Sequence, residues 1–197
     1  MRRLDPDANA RLTATTGLTL IVLSLAEIAT LLLGLHSWLS WHVAIGLALL
    51  PPIALKLGTT GWRFMRYYTR NVEYRAKGAP QIVMRLLAPL LVFFTVVLFG
   101  SGIALGLTHG TVLHVARRLH GPAAVGWMVT LGLHTLVYLG RALREATARN
   151  GAKLRAGIVG LTLVAALVVG VATIPTQHHW LHLHSRHDHD KGRFKGR

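Results

Sequence analysis

Long apolar runs alternate with short polar ones along this chain, and five of the apolar runs are long enough to cross a bilayer. They cover about residues 13–35, 41–61, 86–107, 122–140 and 156–174, each near the roughly 20 residues that a helix rising about 1.5 Å per residue needs to span the hydrocarbon layer. The pattern predicts an all-α integral membrane helical bundle of five transmembrane helices. It divides the chain into a cytoplasmic N-terminus over 1–12, the bundle over 13–174 and a histidine-rich extracytoplasmic tail over 175–197. The first run is longer than a signal-peptide core and is not followed by a small-residue cleavage site, so it is read as a retained helix.

Composition agrees with that reading. The chain is 52% hydrophobic and carries only seven acidic residues among 197; no soluble catalytic domain fits between the spans. Positive charge then orients the bundle. Arg2, Arg3 and Arg11 precede span 1. Arg63, Arg66, Arg70, Arg75, Lys77 and Arg85 separate spans 2 and 3, and Arg141, Arg144, Arg149, Lys153 and Arg155 separate spans 4 and 5. The 1–2 connection has no basic residue and the 3–4 connection has only Arg117 and Arg118. By the positive-inside rule the N-terminus is cytoplasmic and the C-terminus extracytoplasmic in a multi-pass protein of the cell membrane. The net charge of +15 is thus a topology signal, with anionic lipid as its partner and no nucleic acid.

Cysteine is absent, which removes disulfides, thiolate ligands and iron–sulfur clusters. There is no nucleotide-binding glycine loop, no nucleophile elbow and no repeat of solenoid length. What remains is histidine. His42 and Lys56 lie fourteen residues apart in span 2, and His120 and His134 lie the same distance apart around span 4. Fourteen residues turn a helix by about 1400°, close to four full turns, and climb about 21 Å, so each pair occupies one helix face at two depths. Spans 2 and 4 run in the same direction across the membrane. His42 is therefore matched with His120 at the outer level, and Lys56 with His134 toward the cytoplasm. A pair of neutral imidazoles gives haem iron a six-coordinate centre suited to electron transfer, and helix bundles supply such ligands from facing helices.

The fourteen-residue ligand spacing on parallel second and fourth helices resembles the dihaem four-helix core of the cytochrome b superfamily. The stretch from His42 through LALLPPIALKLGTTGWRFMRYY is similar to actinobacterial integral membrane proteins related to prokaryotic cytochrome b561 and ferric reductase-like transmembrane proteins. The resemblance covers spans 2 to 4, about half the chain. It implies a haem-binding four-helix core with His42, His120 and His134 as axial ligands to one or two haem b groups. Where that core would carry a fourth histidine this chain has Lys56. Three uses are open to it: ligation of iron as the neutral amine, contact with a haem propionate or a quinone, or snorkelling of its ammonium to the interface.

Other residues in and near the spans have competing readings. An imidazole in a span has two readings, a metal ligand and a hydrogen-bond partner of a neighbouring helix carbonyl. His120 precedes Gly121 and Pro122, a pattern that suits a helix start and would leave it in a loop. His36, His109 and His114 are reserve ligands in the outer connections. Glu27 is the only acidic residue inside a span. By depth it falls near the outer level and out of reach of Lys56, and it is expected either to bond a neighbouring helix or to assist proton release from a quinol. Pro51 and Pro52 should kink span 2. Gly100, Gly102 and Gly106 permit close approach of another helix or of a flat macrocycle, and Trp38, Trp41, Trp62 and Trp180 read as interfacial anchors.

The tail holds His178, His179, His182, His184, His187 and His189 with Asp188 and Asp190, a composition that binds transition metals loosely outside the membrane. The expected function is a b-type cytochrome that carries electrons across the membrane, from a quinol or cytoplasmic donor to an acceptor at the outer face. Quinone and a redox protein outside the membrane are the expected partners. The chain would serve as a subunit or partner of an oxidoreductase, because it has no flavin or nicotinamide site; ferric reductase-like activity is the nearest variant. The alternative is a haem-free transporter or metal-binding membrane assembly protein.

Overall fold

The computed structural model describes residues 6–76, 82–108 and 110–194, with the side chains of His36, Met84 and residues 175–194 excluded. The described residues form seven helices and no strand: α1 (Pro6–Leu32), α2 (Leu35–Ala48), α3 (Leu50–Tyr68), α4 (Val72–Ala76), α5 (Ile82–Leu107), α6 (Gly110–Thr147) and α7 (Ala152–Phe194). Among the described residues, five segments are long and apolar enough to cross a membrane: Pro6–Leu32, Ser37–Tyr68, Arg85–Leu107, Gly110–Thr147 and Ala152–Ile174. The protein is a multi-pass, all-α membrane protein. Its helices pack through small and hydroxyl side chains, among them Ala14, Thr16, Ser24, Ala44, Ala116 and Ala123, while Val22, Leu136 and Leu161 are exposed at 67%, 77% and 72%. That inversion suits lipid, where apolar side chains gain nothing by hiding and small residues let helices approach.

The described chain falls into two compact units, Met1–Leu18 with Ala54–Val159 and Thr19–Ile53 with Gly160–Arg197. In the first, α5 and α6 form an antiparallel hairpin. A Cβ added at Gly126 would overlap the Phe94 ring, so the glycine is what admits the aromatic at this crossing. Beside it the buried Trp127 donates its indole N–H to Thr95 Oγ1 at 3.0 Å, and Thr95 donates in turn to the Leu91 carbonyl at 2.7 Å. The end of α6 is closed by Arg155, whose Nη2 donates to the carbonyls of Ala146 and Ala148 at 2.8 Å each, satisfying acceptors left over at a helix C-terminus. Asn9 of α1 donates to the Thr59 carbonyl of α3 at 3.0 Å.

In the second unit, α1 and α2 are joined by a tight turn at Gly34, whose φ of +104° is open to glycine and strained for other residues. Span 2 is interrupted at Leu49, between α2 and α3. Pro51 and Pro52 have no N–H to offer the Leu47 and Ala48 carbonyls. The ladder is bridged by Leu49, whose N–H is shared between Ile45 and Gly46 carbonyls at 3.0 and 3.2 Å, and resumes with Ile53 donating to Leu49 at 3.0 Å.

Several helix boundaries differ from the sequence reading: α1 begins at Pro6, α6 runs on to Thr147 and α7 continues to Phe194, and two further differences bear on candidate residues. The helix expected to start at Gly121–Pro122 begins at Gly110, so His120 lies inside α6 and not in a loop. Pro122 forfeits only the bond to the Arg118 carbonyl, a loss that membrane helices tolerate when neighbouring groups compensate. The span expected to end at Gly61 runs on to Tyr68, which puts Arg63 and Arg66 on α3, and the connection after it contains the short helix α4 with Tyr74 buried.

Candidate functional site

A carboxyl–imidazole contact lies within the apolar part of the second unit. His42 Nδ1 on α2 is 2.8 Å from Glu27 Oε1 on α1, with side-chain exposures of 19% and 13%. The Gly34 turn brings the two helices alongside, and Gly46 keeps α2 narrow where the carboxyl sits, 3.3 Å from the position a Cβ would take. Thr30, one turn after Glu27, adds a second contact to His42 Nδ1 at 3.1 Å. The Thr30 hydroxyl donates its one proton to the Glu27 carbonyl at 2.6 Å. A neutral His42 with its proton on Nδ1 would donate to the Glu27 carboxyl and Thr30 hydroxyl oxygens and keep its lone pair on Nε2.

The same device recurs in the first unit. His120 Nδ1 on α6 lies 3.1 Å from Ser101 Oγ on α5. Ser101 also donates to the Leu98 carbonyl at 3.0 Å, so a neutral His120 with its proton on Nδ1 would donate to the Ser101 oxygen and keep its lone pair on Nε2. Gly102 makes the approach possible: the His120 Cε1 lies 3.1 Å from where a Cβ would stand. Of the glycines expected to admit a close neighbour, Gly102 does so and Gly100 faces nothing within 4 Å.

His134 and Lys56, both in the first unit, are in different circumstances. His134 stacks on Tyr138, four residues along α6, with ring centroids 5.2 Å apart and planes inclined by 26°. Its Nδ1 is buried without a hydrogen-bond partner among the described residues. The Lys56 amine donates to the Thr13 carbonyl of α1 at 2.6 Å. The ammonium nests against Gly17, 2.7 Å from where a Cβ would be. Together with Asn9 and Thr59, it ties α1 to α3.

His114 is exposed on α6. His109 lies outside the described residues, as do the side chains of His36, Trp180 and the tail residues His178, His179, His182, His184, His187 and His189. Among the described residues, no three histidine or acidic side chains converge as a metal-binding group. Thr30 and Ser101 are the site residues that sequence reasoning missed. A signal for Thr30 existed in its position one turn from the only acidic residue of any span; Ser101 carried none beyond its place in a small-residue run. Trp38 and Trp41 are exposed, at 38% and 58%. Trp62 is instead covered by the Arg66 guanidinium, 4.6 Å from the ring centroid.

No protein-family model, curated protein or solved structure matches this chain.

Proposed function

We propose that the protein is a membrane b-type cytochrome whose haem would be held by the imidazoles of His42 and His120. The observation that carries the reading is the fixing of both imidazoles by Nδ1: His42 by Glu27 and Thr30, His120 by Ser101. Histidines that ligate metals generally donate their other ring N–H to a carboxylate or another acceptor, which sets the tautomer and the ring direction. Within lipid such anchoring also offsets the desolvation of the imidazole. The pairing of the two histidines rests on their spacing and helix direction in the sequence. The group, when bound, would supply one-electron chemistry.

The chain's own part is to orient two rings, to exclude water with apolar helices and, through Glu27, to place an acceptor behind one ligand. Electrons would pass from a quinol or a cytoplasmic donor to an acceptor at the outer face. The arginine-rich ends of the spans face the cytoplasm, and the tail faces outward. Lys56 is assigned to packing α1 against α3, and His134, with a buried Nδ1 in need of a partner, is the position at which a second haem would be sought.

A haem-free transporter is the second reading. The Glu27–His42 contact favours it, since a carboxyl and an imidazole held together in an apolar layer are also the parts of a proton-carrying site. The two separate on one experiment: purification in detergent from haem-replete cells, followed by a reduced-minus-oxidised visible spectrum with haem quantitation. Low-spin haem that disappears in His42→Ala and His120→Ala supports the cytochrome; a folded, haem-free preparation supports the transporter.

A further inference from the structure

At the end of the first unit where α1 begins and α6 finishes, an open polar cavity is lined by Asp7, Arg63, Tyr74, Arg141 and Glu145. Asp7 is in the first turn of α1, Arg63 near the end of α3, and Arg141 and Glu145 one turn apart near the end of α6. Tyr74, 5% exposed, comes from α4. Arg141 and Glu145 are spaced to pair along the helix. Yet Arg63, Arg141 and Glu145 make no hydrogen bond or ion pair with one another or with any other described residue. Two guanidinium groups and a carboxylate on one cavity wall, none engaged, present charge of both signs to whatever enters.

We propose that this cavity binds a phosphoethanolamine group, its phosphate on Arg63 and Arg141 and its ammonium on Glu145. Guanidinium forks match phosphate oxygens in geometry and charge. A simple anion would meet the Asp7 and Glu145 carboxylates on the same wall, whereas a zwitterion satisfies both signs. The cavity lies at the ends of three membrane-spanning segments, where headgroups lie, so the shared chemistry has two sources, phosphatidylethanolamine in the bilayer and soluble phosphoethanolamine.

The test uses the full chain, stripped of lipid in detergent, with Tm followed as three probes are added: phosphatidylethanolamine in mixed micelles, phosphatidylglycerol in mixed micelles, and soluble phosphoethanolamine. Phosphatidylethanolamine should raise Tm saturably and more than phosphatidylglycerol does. Arg63→Gln and Arg141→Gln should each weaken its apparent affinity by about tenfold or more, as expected for the loss of a charge-assisted contact. Saturation by soluble phosphoethanolamine at matched concentration supports the site and assigns it a soluble ligand; a response to the lipid alone supports it and assigns the membrane. Should the arginine variants fail to fold, Glu145→Gln carries the test, and it should erase the preference for phosphatidylethanolamine over phosphatidylglycerol. Equal stabilisation of the unmodified protein by both lipids, or a preference that survives Glu145→Gln, overturns the proposal.

Discussion

His42 Nδ1 lies 2.8 Å from Glu27 Oε1, between adjacent helices in an apolar layer. Neither group is cheap to place there alone, and each offsets the other's desolvation. If His42 is an axial ligand, the carboxyl behind it strengthens the imidazole as a donor and favours ferric iron. Glu27→Gln should therefore raise the haem midpoint potential, by about 60 mV for each tenfold fall in the ferric-to-ferrous affinity ratio. Glu27→Ala should also weaken haem retention by about 10- to 100-fold. Redox titration and haem-loss kinetics read the two effects; a potential and retention unchanged in both variants would separate Glu27 from the cofactor.

The α5–α6 hairpin offers a prediction independent of haem. Gly126→Ala places a methyl where the Phe94 ring stands, and overpacking of this kind costs about 1–3 kcal/mol. Tm in detergent should fall, and the double variant Gly126→Ala with Phe94→Leu should recover part of the loss. A Gly126→Ala protein as stable as the parent would mean that the ring moves aside freely.

Lys56→Met removes the donor to the Thr13 carbonyl while keeping most of the side-chain volume. Stability should fall by about 1 kcal/mol, the worth of a typical hydrogen bond, and haem content should not change. Haem lost on this substitution would make Lys56 a ligand or a cofactor contact and not a packing residue.

The parent chain has no cysteine, so orientation can be read by single introduced thiols. A membrane-impermeant maleimide should label Ser37→Cys in intact cells and reach Asn71→Cys only after permeabilisation. The reverse pattern would invert the topology that the arginine-rich connections predict.

The five spanning segments were legible as apolar runs because lipid demands length and hydropathy, both local properties. Their ends were less so. Pro122 and Gly61 are residues that often bound helices, yet α6 begins before Pro122 and α3 continues past Gly61, since membrane helices absorb isolated breakers through their neighbours. At the site, Glu27 was visible as the lone acid in a span and its depth near His42 could be counted. The ring-holding roles of Thr30 and Ser101 could not, because each depends on the rotamer of a hydroxyl bonded to its own helix. Lys56 was legible only in part. Its fourteen-residue offset from His42 places it on a face, while the partner it finds, the Thr13 carbonyl, comes from a helix that spacing does not address.

The most direct measurement is the haem content and reduced-minus-oxidised spectrum of the purified protein, compared with those of His42→Ala and His120→Ala. A cytochrome of the kind proposed gives low-spin haem b in the parent chain, and each substitution removes that low-spin signal while the protein still inserts and stays monodisperse in detergent. A folded parent protein that carries no haem, or histidine variants with an unaltered spectrum, would contradict it.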